Sequence, residues 1–454
     1  MEINIVKGVH DVYDDEARAY SKIEDLMKSI ADLFAYSEVR SPVLEHSEVF
    51  SRGVGESSDI VRKEMYDFLD KGGRSLTLRP EFTAGIMRLI IFNKLYATNE
   101  LPLKLYYCGP VFRYERPQLG RYRQFNQFGI ESVGHDSLYN DLEVIVLAYS
   151  ILQSLGLENV KLVINSLGDK ESRDNYREAL KGYFAKYIDN MCPDCKQRFE
   201  TNPLRILDCK VKEDQEICKG APKITDYLSP ASKERFNKIL ESLSALQIPY
   251  DVDDGLVRGL DYYSECVFEF HYVSKTGNNY GAIGAGGHYG SLMKELGGPD
   301  LPGVGFSLGI ERIYSVLKDD NLLPDDIRNE VVAYIMPMSD DVRTYALDVA
   351  NCLRMSGYRV DMCYDNTKLG NMFKRAEKKF AQYAIIIGED EFKNQSVVVK
   401  DLKTQNQENV SLDNLIDYFD DIFGNDECEC GCHCHDDDEE CHCHDHECHC
   451  HDKD

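Results

Sequence analysis

The sequence lacks any apolar run long enough to cross a membrane. Hydrophobic residues make up 43% of its 454 residues, but no stretch approaches the roughly 18–20 consecutive apolar residues of a membrane-spanning helix. The first four residues, Met-Glu-Ile-Asn, also lack the basic and then apolar pattern of a secretion signal. We therefore expect a cytoplasmic protein with no membrane-embedded part and with two or three domains.

The sequence also lacks an excess of basic residues, because acidic residues outnumber them. This at first argues against a nucleic-acid partner, because phosphate binding favours a basic surface. The formal net charge is -27. Residues 425–454 contain 12 acidic residues and one lysine, so they contribute -11 and the other 424 residues contribute -16. Any contact with nucleic acid must therefore come from local basic clusters.

Two further absences narrow the chemistry. Eight of the 16 cysteines fall in the last 27 residues, so disulfides do not organise this chain. Four scattered cysteines are interpreted as small buried hydrophobes: Cys108, Cys266, Cys352 and Cys363. The sequence also offers no convincing Ser/His/Asp or Cys/His set. We therefore expect a mechanism without a protein nucleophile.

Hydrophobic periodicity predicts α+β architecture with a largely antiparallel sheet in the first 325 residues. It places an amphipathic helix at 15–34 and strands at 104–108, 160–165, 266–271 and 303–307. Strands and helices then alternate in residues 330–424, which predicts a compact α/β domain with a partly parallel sheet. Its predicted strands are 331–336, 359–363, 383–387 and 396–400, and its predicted helices are 342–355 and 371–380. Residues 425–454 contain nothing aliphatic or aromatic to bury, so we expect a disordered tail.

The most informative segment is 109–131, in which two strand-like flanks enclose an arginine-rich loop. Arg113 lies on the first flank, and Gln127 and Glu131 alternate along the second. Phe125 offers a ring on which a base could stack. Each arginine alone could belong to an ordinary charged hairpin, but the combination predicts a pocket for an anion and a polar cation.

This segment closely resembles the second signature motif of class II aminoacyl-tRNA synthetases, in the form used by the histidine-specific branch. Other segments are similar to that family in the same order. They are Arg-Ser-Pro-Val-Leu-Glu at 40–45, with Pro42 of the dimer-forming first motif, Leu-Arg-Pro-Glu-Phe-Thr at 78–83, Leu-Val-Arg-Gly-Leu-Asp-Tyr-Tyr at 256–263, and the third motif at 303–312. The resemblance covers about 400 residues.

The resemblance implies a homodimer that activates L-histidine with ATP and Mg²⁺ and transfers it to the 3′ end of tRNA(His). Its implied catalytic arginines are Arg113, Arg258, against the α-phosphate, and Arg312, against the γ-phosphate. ATP would also contact Glu115 and Phe125. Histidine would contact Glu81, Phe82, Thr83, Gln127, Glu131, Tyr262, Tyr263 and Tyr289. Of these, Tyr262 and Tyr263 would lie towards the imidazole. The tRNA acceptor end would contact Arg116, Gln118, Arg121 and Arg123.

Elementary electrostatics agrees with this implication. Adenylation requires a carboxylate to attack an α-phosphate that already carries negative charge, so the first task is to neutralise charge along the line of attack. Three arginines, with Mg²⁺ on the β- and γ-phosphates, can do this. Selecting histidine requires buried polar groups that a wrong side chain would leave unpaired.

Two positions depart from the family's usual pattern. Residues 286–292 read Gly-Gly-His-Tyr-Gly-Ser-Leu where the family often has Gly-Gly-Arg-Tyr-Asp-Gly-Leu, so His288 should weaken a basic group near the pocket while Tyr289 is kept. Asn126 stands where the family more often has histidine. Because neither is one of the three arginines, we expect changes in fine geometry only.

Residues 330–424 resemble the anticodon-binding domain of the same synthetase group. Their predicted helix carries Lys374, Arg375, Lys378 and Lys379, which are typical either of a solvated face or of a phosphate-contacting surface. Single-stranded anticodon bases would be read by stacking and by their exposed edges.

Two cysteine-bearing segments allow metal binding. Cys192, Cys195, Cys209 and Cys218, inside an insertion at about 170–225, could form a zinc site or be ordinary thiols. The tail repeats Cys-His-Cys-His three times and could bind Zn, Ni or Cu, or could be a passive acidic tail. Its candidate ligands are Cys428, Cys430, Cys432, His433, Cys434, His435, Cys441, His442, Cys443, His444, Cys448, His449, Cys450 and His451.

Two rival functions remain. A synthetase-like regulatory subunit of the histidine-biosynthetic phosphoribosyltransferase would bind histidine without charging RNA, and it should lack the motif arginines and the C-terminal domain. A metal-binding protein could use the synthetase-like body as a scaffold. Histidine-dependent ATP–pyrophosphate exchange separates these possibilities from the ligase.

Overall fold

The computed structural model describes residues 3–55, 58–97, 100–116, 120–324, 327–328 and 330–424. The chain divides into two compact units, Met1–Ile327 and Arg328–Asp454. Within those ranges no helix combines the length and apolarity needed to cross a membrane. Gln118 of the arginine-rich loop and the candidate metal ligands of the tail lie outside the described residues.

The first unit is an α+β structure built on a large mixed sheet. Its strands are β1 (Ser37–Glu38), β2 (Leu44–His46), β3 (Tyr66–Leu69), β4 (Ser75–Leu78), β5 (Leu103–Phe112), β6 (Gln124–Val133), β7 (Lys161–Ser166), β8 (Tyr250–Val252), β9 (Tyr263–Val273), β10 (Asn279–Tyr289) and β11 (Gly303–Gly309). Its helices are α1 (Asp14–Leu33), α2 (Ser47–Gly53), α3 (Thr83–Phe92), α4 (Leu138–Ser154), α5 (Lys170–Phe184), α6 (Pro193–Thr201), α7 (Lys212–Cys218), α8 (Pro230–Ala245), α9 (Leu292–Glu295) and α10 (Ile310–Asp319).

The large sheet has eight strands in the order β1-β5-β6-β11-β10-β9-β7-β8. The pairs from β5 to β7 are antiparallel, and only the edge pairs, β1 with β5 and β7 with β8, are parallel. A separate antiparallel sheet has the order β2-β4-β3. The predicted α+β class with a largely antiparallel sheet is therefore confirmed.

Strand alternation gives the large sheet two different faces. Phe128 and Ile130 of β6 join a core with helices α1, α4, α8 and α10 on one face. Gln127 and Glu131, on the same strand, lie on the other face, because successive side chains of a strand point to opposite sides. This second face is partly covered by α3 and α9 and leaves room for a cavity.

The first helix agrees with the prediction within one residue at each end. Acidic residues Asp14, Asp15 and Glu16 occupy its first turn, where negative charge is stabilised by the helix dipole. Ile23, Met27 and Ile30 are buried, as helical spacing requires. Leu33, the last residue of the helix, is 83% exposed, although it lies near the helical spacing of the buried residues.

The insertion between β7 and β8 forms a small core of its own. Helices α5, α6 and α7 alternate with short 3₁₀ segments at Ile188–Asn190, Pro203–Asp208 and Ile224–Asp226. Tyr176, Leu180, Phe184, Cys195 and Ile206 are buried among one another. Asp169 caps α5 by accepting a hydrogen bond from the Ser172 amide at 2.8 Å.

The second unit is an α/β structure with a five-stranded sheet in the order β13-β12-β14-β15-β16. Its elements are β12 (Ala333–Pro337), α11 (Arg343–Met355), β13 (Val360–Met362), α12 (Leu369–Lys378), β14 (Tyr383–Ile387), α13 (Glu389–Lys393), β15 (Ser396–Asp401), β16 (Gln407–Ser411) and α14 (Leu415–Phe423). The pairs of β12 with β13 and β14 are parallel, and the other two pairs are antiparallel. The partly parallel sheet is as predicted.

Periodicity did not reveal β16 and α14. β16 is an edge strand in which only Val410 is buried, so its sequence carries almost no hydrophobic alternation. α14 is amphipathic, with Leu415 and Phe419 buried one helical turn apart in the core of this unit, so its pattern was available in the sequence but was not recognised.

Candidate active site

A cavity of about 290 Å³ opens on the free face of the large sheet. Side chains of β5, β6, β9 and β11 meet there with the segments 81–83 and 258–263. Every residue predicted to contact ATP or histidine lies on its wall: Glu81, Phe82, Thr83, Arg113, Glu115, Phe125, Gln127, Glu131, Arg258, Tyr262, Tyr263, Tyr289 and Arg312. The sheet therefore collects residues that are more than 200 positions apart in sequence.

Glycines on the neighbouring strand make room for the polar side chains of β6. Glu131 is paired across the ladder with Gly305, and Gln127 with Gly309. A Cβ atom on Gly305 would overlap the Glu131 carboxylate and the main chain of β6. Gly305 is thus required for the buried carboxylate to occupy this position.

Acidic and aromatic side chains of the cavity wall are grouped around Glu131. The Glu131 carboxylate accepts hydrogen bonds from the hydroxyls of Thr83 at 2.7 Å, Tyr107 at 3.1 Å and Tyr289 at 2.6 Å. Burial raises the pKa of Glu131 to about 7. Tyr262 also lines this part of the cavity and is buried. The hydroxyl groups support a buried carboxylate that a small cation can reach.

A second carboxylate, that of Glu81, lies at the start of α3. It accepts hydrogen bonds from the backbone amides of Thr83 at 2.6 Å and Ala84 at 3.0 Å. Burial raises the pKa of Glu81, and these two amide donors act in the opposite direction. The helix start therefore fixes this carboxylate in one orientation at the cavity wall.

Three arginines also line the cavity, and each has a contact of its own. Arg113 donates from Nε to the carbonyl oxygen of Pro80 at 2.8 Å, and its guanidinium carbon lies 5.4 Å from the centre of the Phe125 ring. Arg258 forms an ion pair with Glu269. Arg312 donates to the carbonyl oxygen of Ala282.

The charges of these arginines affect one another. Burial lowers the pKa of Arg312, and the nearby positive charges of Arg121 and Arg113 lower it further. Guanidinium groups remain charged even so. Several positive charges close to one another on the wall of a cavity form a site for a polyanion.

Sequence reasoning missed two carboxylates on the cavity wall, Glu269 and Glu311. Burial opposes ionisation of Glu269, but hydrogen bonding from His271 and the charge of Arg258 hold its pKa below the ordinary value. Burial raises the pKa of Glu311 to about 7. The available signals were the lone acidic residue of the predicted strand 266–271 and the residue directly before Arg312.

The two departures from the family pattern lie behind the cavity wall. His288 is buried, and its Nδ1 lies 2.9 Å from the Asp141 carboxylate, which also accepts from Arg235 at 2.7 Å. The expectation that His288 changes a basic group near the pocket is wrong, because alternation along β10 turns it away while Tyr289 faces the cavity. Asn126 donates its backbone amide and side-chain amide to Glu311 at 2.8 and 3.0 Å.

Comparison with known proteins explains this arrangement. A family model described as histidyl-tRNA synthetase matches residues 8–313, and one described as an anticodon binding domain matches residues 332–422. The chain belongs to the histidyl-tRNA synthetase family.

Individual relatives agree with the family assignment. The proteins named histidine–tRNA ligase of Bacillus licheniformis and Bacillus subtilis are 46% and 45% identical to this chain, over 92% of its length and 98% of theirs. The crystal structure of apo Staphylococcus aureus histidyl-tRNA synthetase matches with a TM-score of 0.79 and 37% identity, over 92% of this chain and 100% of that one. The resemblance inferred from the sequence motifs is therefore confirmed, as is the class II catalytic fold with an anticodon-binding domain.

The arginines predicted to contact the acceptor end occupy different environments in this synthetase. Arg121 reaches the cavity wall and donates to Glu115 at 3.3 Å. Arg123 stacks on Tyr114, with its guanidinium carbon 3.9 Å from the ring centre, and donates to main-chain carbonyl oxygens. Arg116 is exposed. An adjoining open groove of about 750 Å³ shares Arg121, Arg258 and Arg312 with the cavity.

The basic helix of the synthetase's second unit is exposed, but part of its charge is matched locally. Arg375 forms an ion pair with Asp365, and Lys379 lies 3.3 Å from Asp361. Lys374 and Lys378 are exposed on the same helix, α12.

The insertion brings together three of the four predicted zinc ligands. The ligand atoms of Cys192, Cys195 and Cys209 lie within 4.8 Å of one another and of the Asp214 carboxylate. Cys218 does not join them, because its thiol donates to the carbonyl oxygen of Ile206 at 3.3 Å. The predicted four-cysteine set is therefore wrong in its last member. Of the scattered cysteines, Cys266 and Cys363 are buried, whereas Cys108 and Cys352 are only partly so.

Proposed function

We propose that this chain catalyses histidine–tRNA ligation in the cavity described above, activating L-histidine with ATP and transferring it to the 3′ end of tRNA(His). The observation that carries the proposal is the combination of charges in one cavity. Arg113, Arg258 and Arg312 line the same cavity as the buried carboxylates of Glu81 and Glu131. A polyanion and a small cation can thus be held side by side.

In the first step, ATP with Mg²⁺ is the activating substrate, as is general for class II synthetases. Arg113 and Arg258 would neutralise the α-phosphate, and Arg312 would bind the γ-phosphate. Phe125, already packed against Arg113, would stack on the adenine, and Glu115 would lie beside the nucleotide. With this negative charge offset, the histidine carboxylate can attack phosphorus and displace pyrophosphate.

Histidine would lie beside the acidic and aromatic side chains grouped around Glu131. We propose that the ammonium group of histidine contacts Glu81, Thr83 and Gln127, and that Glu131 contacts polar groups of the substrate. The histidine side chain would be enclosed by Phe82, Tyr262, Tyr263 and Tyr289. The network at Glu131 is buried and hydrogen-bonded on several sides. A substrate without an imidazole N–H would leave such groups unpaired, which disfavours it by roughly 10⁴-fold in comparable sites.

Transfer to tRNA would use both units. Residues 1–325 would hold the acceptor end next to the adenylate, with Arg116, Gln118, Arg121 and Arg123 along its path, and residues 330–424 would read the anticodon. Homodimers are typical of this family, and the exposed Pro42 is proposed to belong to the dimer interface. We propose that the enzyme acts in the cytoplasm.

The tail, residues 425–454, is proposed to bind Zn, Ni or Cu independently of aminoacylation. Its cysteines and histidines are soft and borderline ligands at high density, and its acidic residues favour cations. Deletion of the tail should lower the metal content of the purified protein and leave aminoacylation unchanged. Equal metal content with and without the tail would contradict this assignment.

Histidine-dependent ATP–pyrophosphate exchange tests the catalytic proposal. The ligase should exchange label only when L-histidine is present and should then form histidyl-tRNA. A regulatory subunit would bind histidine without exchange, and a metal-binding scaffold would do neither. A folded, dimeric sample without histidine-dependent exchange would contradict the proposal.

A further inference from the structure

Four potential metal ligands meet where three segments of the insertion come together. Cys192 immediately precedes α6, and Cys195 lies in its first turn. Cys209 directly follows the 3₁₀ segment Pro203–Asp208, and Asp214 lies in α7. The cluster shares no residue with the lining of the catalytic cavity.

The spacing of the ligand atoms fits a tetrahedral ion. The Sγ atoms of Cys192 and Cys209 are 3.8 Å apart, and all four ligand atoms lie within 4.8 Å of one another. A tetrahedral zinc with Zn–S bonds of about 2.3 Å requires sulfur atoms about 3.8 Å apart. The cysteines of the cluster are free thiols, so no disulfide competes for this geometry.

Two backbone amides donate to sulfur atoms of the cluster. The amide of Cys195 donates to Cys192 Sγ at 3.4 Å, and the amide of Val211 donates to Cys209 Sγ at 3.4 Å. Such donors stabilise negative charge on sulfur. The Asp214 carboxylate is fixed by the Cys192 amide at 3.1 Å.

Burial makes a counter-charge necessary once the thiols ionise. Cys195 is 0%, Asp214 2% and Cys209 4% exposed. Several negative groups enclosed together are strongly unfavourable unless a cation is bound among them. We propose that Cys192, Cys195, Cys209 and Asp214 bind one Zn²⁺ as a closed structural site. Three thiolates and one carboxylate favour zinc over Mg²⁺ or Ca²⁺, which prefer oxygen ligands.

The zinc site would stiffen the part of the insertion that contacts residues next to the wall of the catalytic cavity. Arg198, in α6, and Arg205, in the 3₁₀ segment, both donate to the Asp59 carboxylate, at 2.8 and 2.9 Å. Lys63 forms an ion pair with Asp194 at 2.9 Å. Ile60, next to Asp59, lines the cavity. Loss of zinc should therefore loosen this wall of the cavity as well as the insertion.

The first test measures zinc in the full-length protein and in full-length Cys195→Ser and Cys218→Ser variants, each equilibrated against the same zinc-buffered solution. Because the tail is common to all three, it cancels in the comparison. The Cys195→Ser variant should hold one zinc per chain less than the wild type, and the Cys218→Ser variant should hold the same amount. A deficit below about 0.2 zinc per chain in Cys195→Ser, or an equal deficit in Cys218→Ser, would overturn the proposal.

The second test needs no substitution and so remains informative if Cys195→Ser does not fold. The wild-type protein is alkylated with and without a zinc chelator, and labelled cysteines are identified by peptide mass spectrometry. Cys192 and Cys218 are both partly exposed. Chelation should increase labelling of Cys192 several-fold, and by clearly more than it increases labelling of Cys218, which is not a ligand. Unchanged labelling of Cys192, or a Cys192–Cys209 disulfide, would overturn the assignment. Neither readout depends on aminoacylation, so failure here is distinguishable from failure of the proposed ligase activity.

Discussion

Replacement of Arg258 with alanine should almost abolish histidine activation, for two separable reasons. The first is the loss of the positive group that is proposed to lie beside the α-phosphate. Removal of one preorganised donor to a developing charge typically costs about 2.7–4 kcal/mol, or about 10²–10³ in rate. The second is that Glu269, the ion-pair partner of Arg258, loses its arginine at the cavity wall and keeps its contact with His271 at 2.8 Å.

The second effect can be given a magnitude. The two charges are those of the Glu269 carboxylate and the bound phosphate. At an effective dielectric constant of about 20 and a separation of about 6 Å, two such unit charges repel by about 3 kcal/mol. Part of this repulsion would be offset by Arg113 and Arg312, so about tenfold in rate is the expected share of Glu269. We therefore expect Arg258→Ala to lower kcat/KM for ATP by about 10³–10⁴.

A double-mutant cycle separates the two causes. In ATP–pyrophosphate exchange, the Arg258→Ala/Glu269→Gln variant should be about tenfold more active than Arg258→Ala alone. An Arg74→Ala variant, which removes an exposed partner of Asp70, should behave like the wild type. If folded Arg258→Ala keeps more than about a tenth of wild-type exchange, the role assigned to Arg258 is wrong. A double variant no better than Arg258→Ala would refute the contribution of Glu269.

Three further results are expected. Because burial raises the pKa of Glu131 to about 7, its carboxylate gains negative charge as the pH rises from 6 to 8. KM for histidine should therefore fall over this range. A Glu131→Gln variant with the same pH profile would count against a role for this carboxylate. Gly305→Ala leaves no room for the Glu131 carboxylate, so it should lower exchange activity by at least about 100-fold and should also lower the melting temperature. Gly182→Ala, which lies in open space on a helix, should change neither. The Lys374→Glu/Lys378→Glu variant should raise KM for tRNA about tenfold without changing exchange, and equal effects in both assays would point to a folding defect.

Local sequence was sufficient to predict the site where its polar residues and the hydrophobic periodicity lie on the same strand or helix. The segment 109–131 predicted two strands around an arginine-rich loop, and β5 and β6 are paired antiparallel. The spacing of Gln127 and Glu131 placed both on one face of β6, and both line the cavity. The strong alternation of the second unit likewise predicted most of its sheet.

Contacts between distant segments were decided by the tertiary structure. Sequence spacing suggested Cys218 as the fourth ligand of the insertion cluster, but the fold brings Asp214 there instead. Glu269 became part of the cavity only because β9 places it beside Arg258. His288 stands one position from Tyr289, yet it contacts Asp141 behind the sheet.

The sequence by itself thus determined the family, the two kinds of architecture and the residue types that a triphosphate and a histidine require. Only the tertiary structure decided which carboxylates accompany the arginines, and which side chains turn away from the cavity. The physical reason is that strand and helix periods fix side-chain direction over a few residues. The pairing of strands and the packing of an insertion depend on burial shared among residues far apart in the chain.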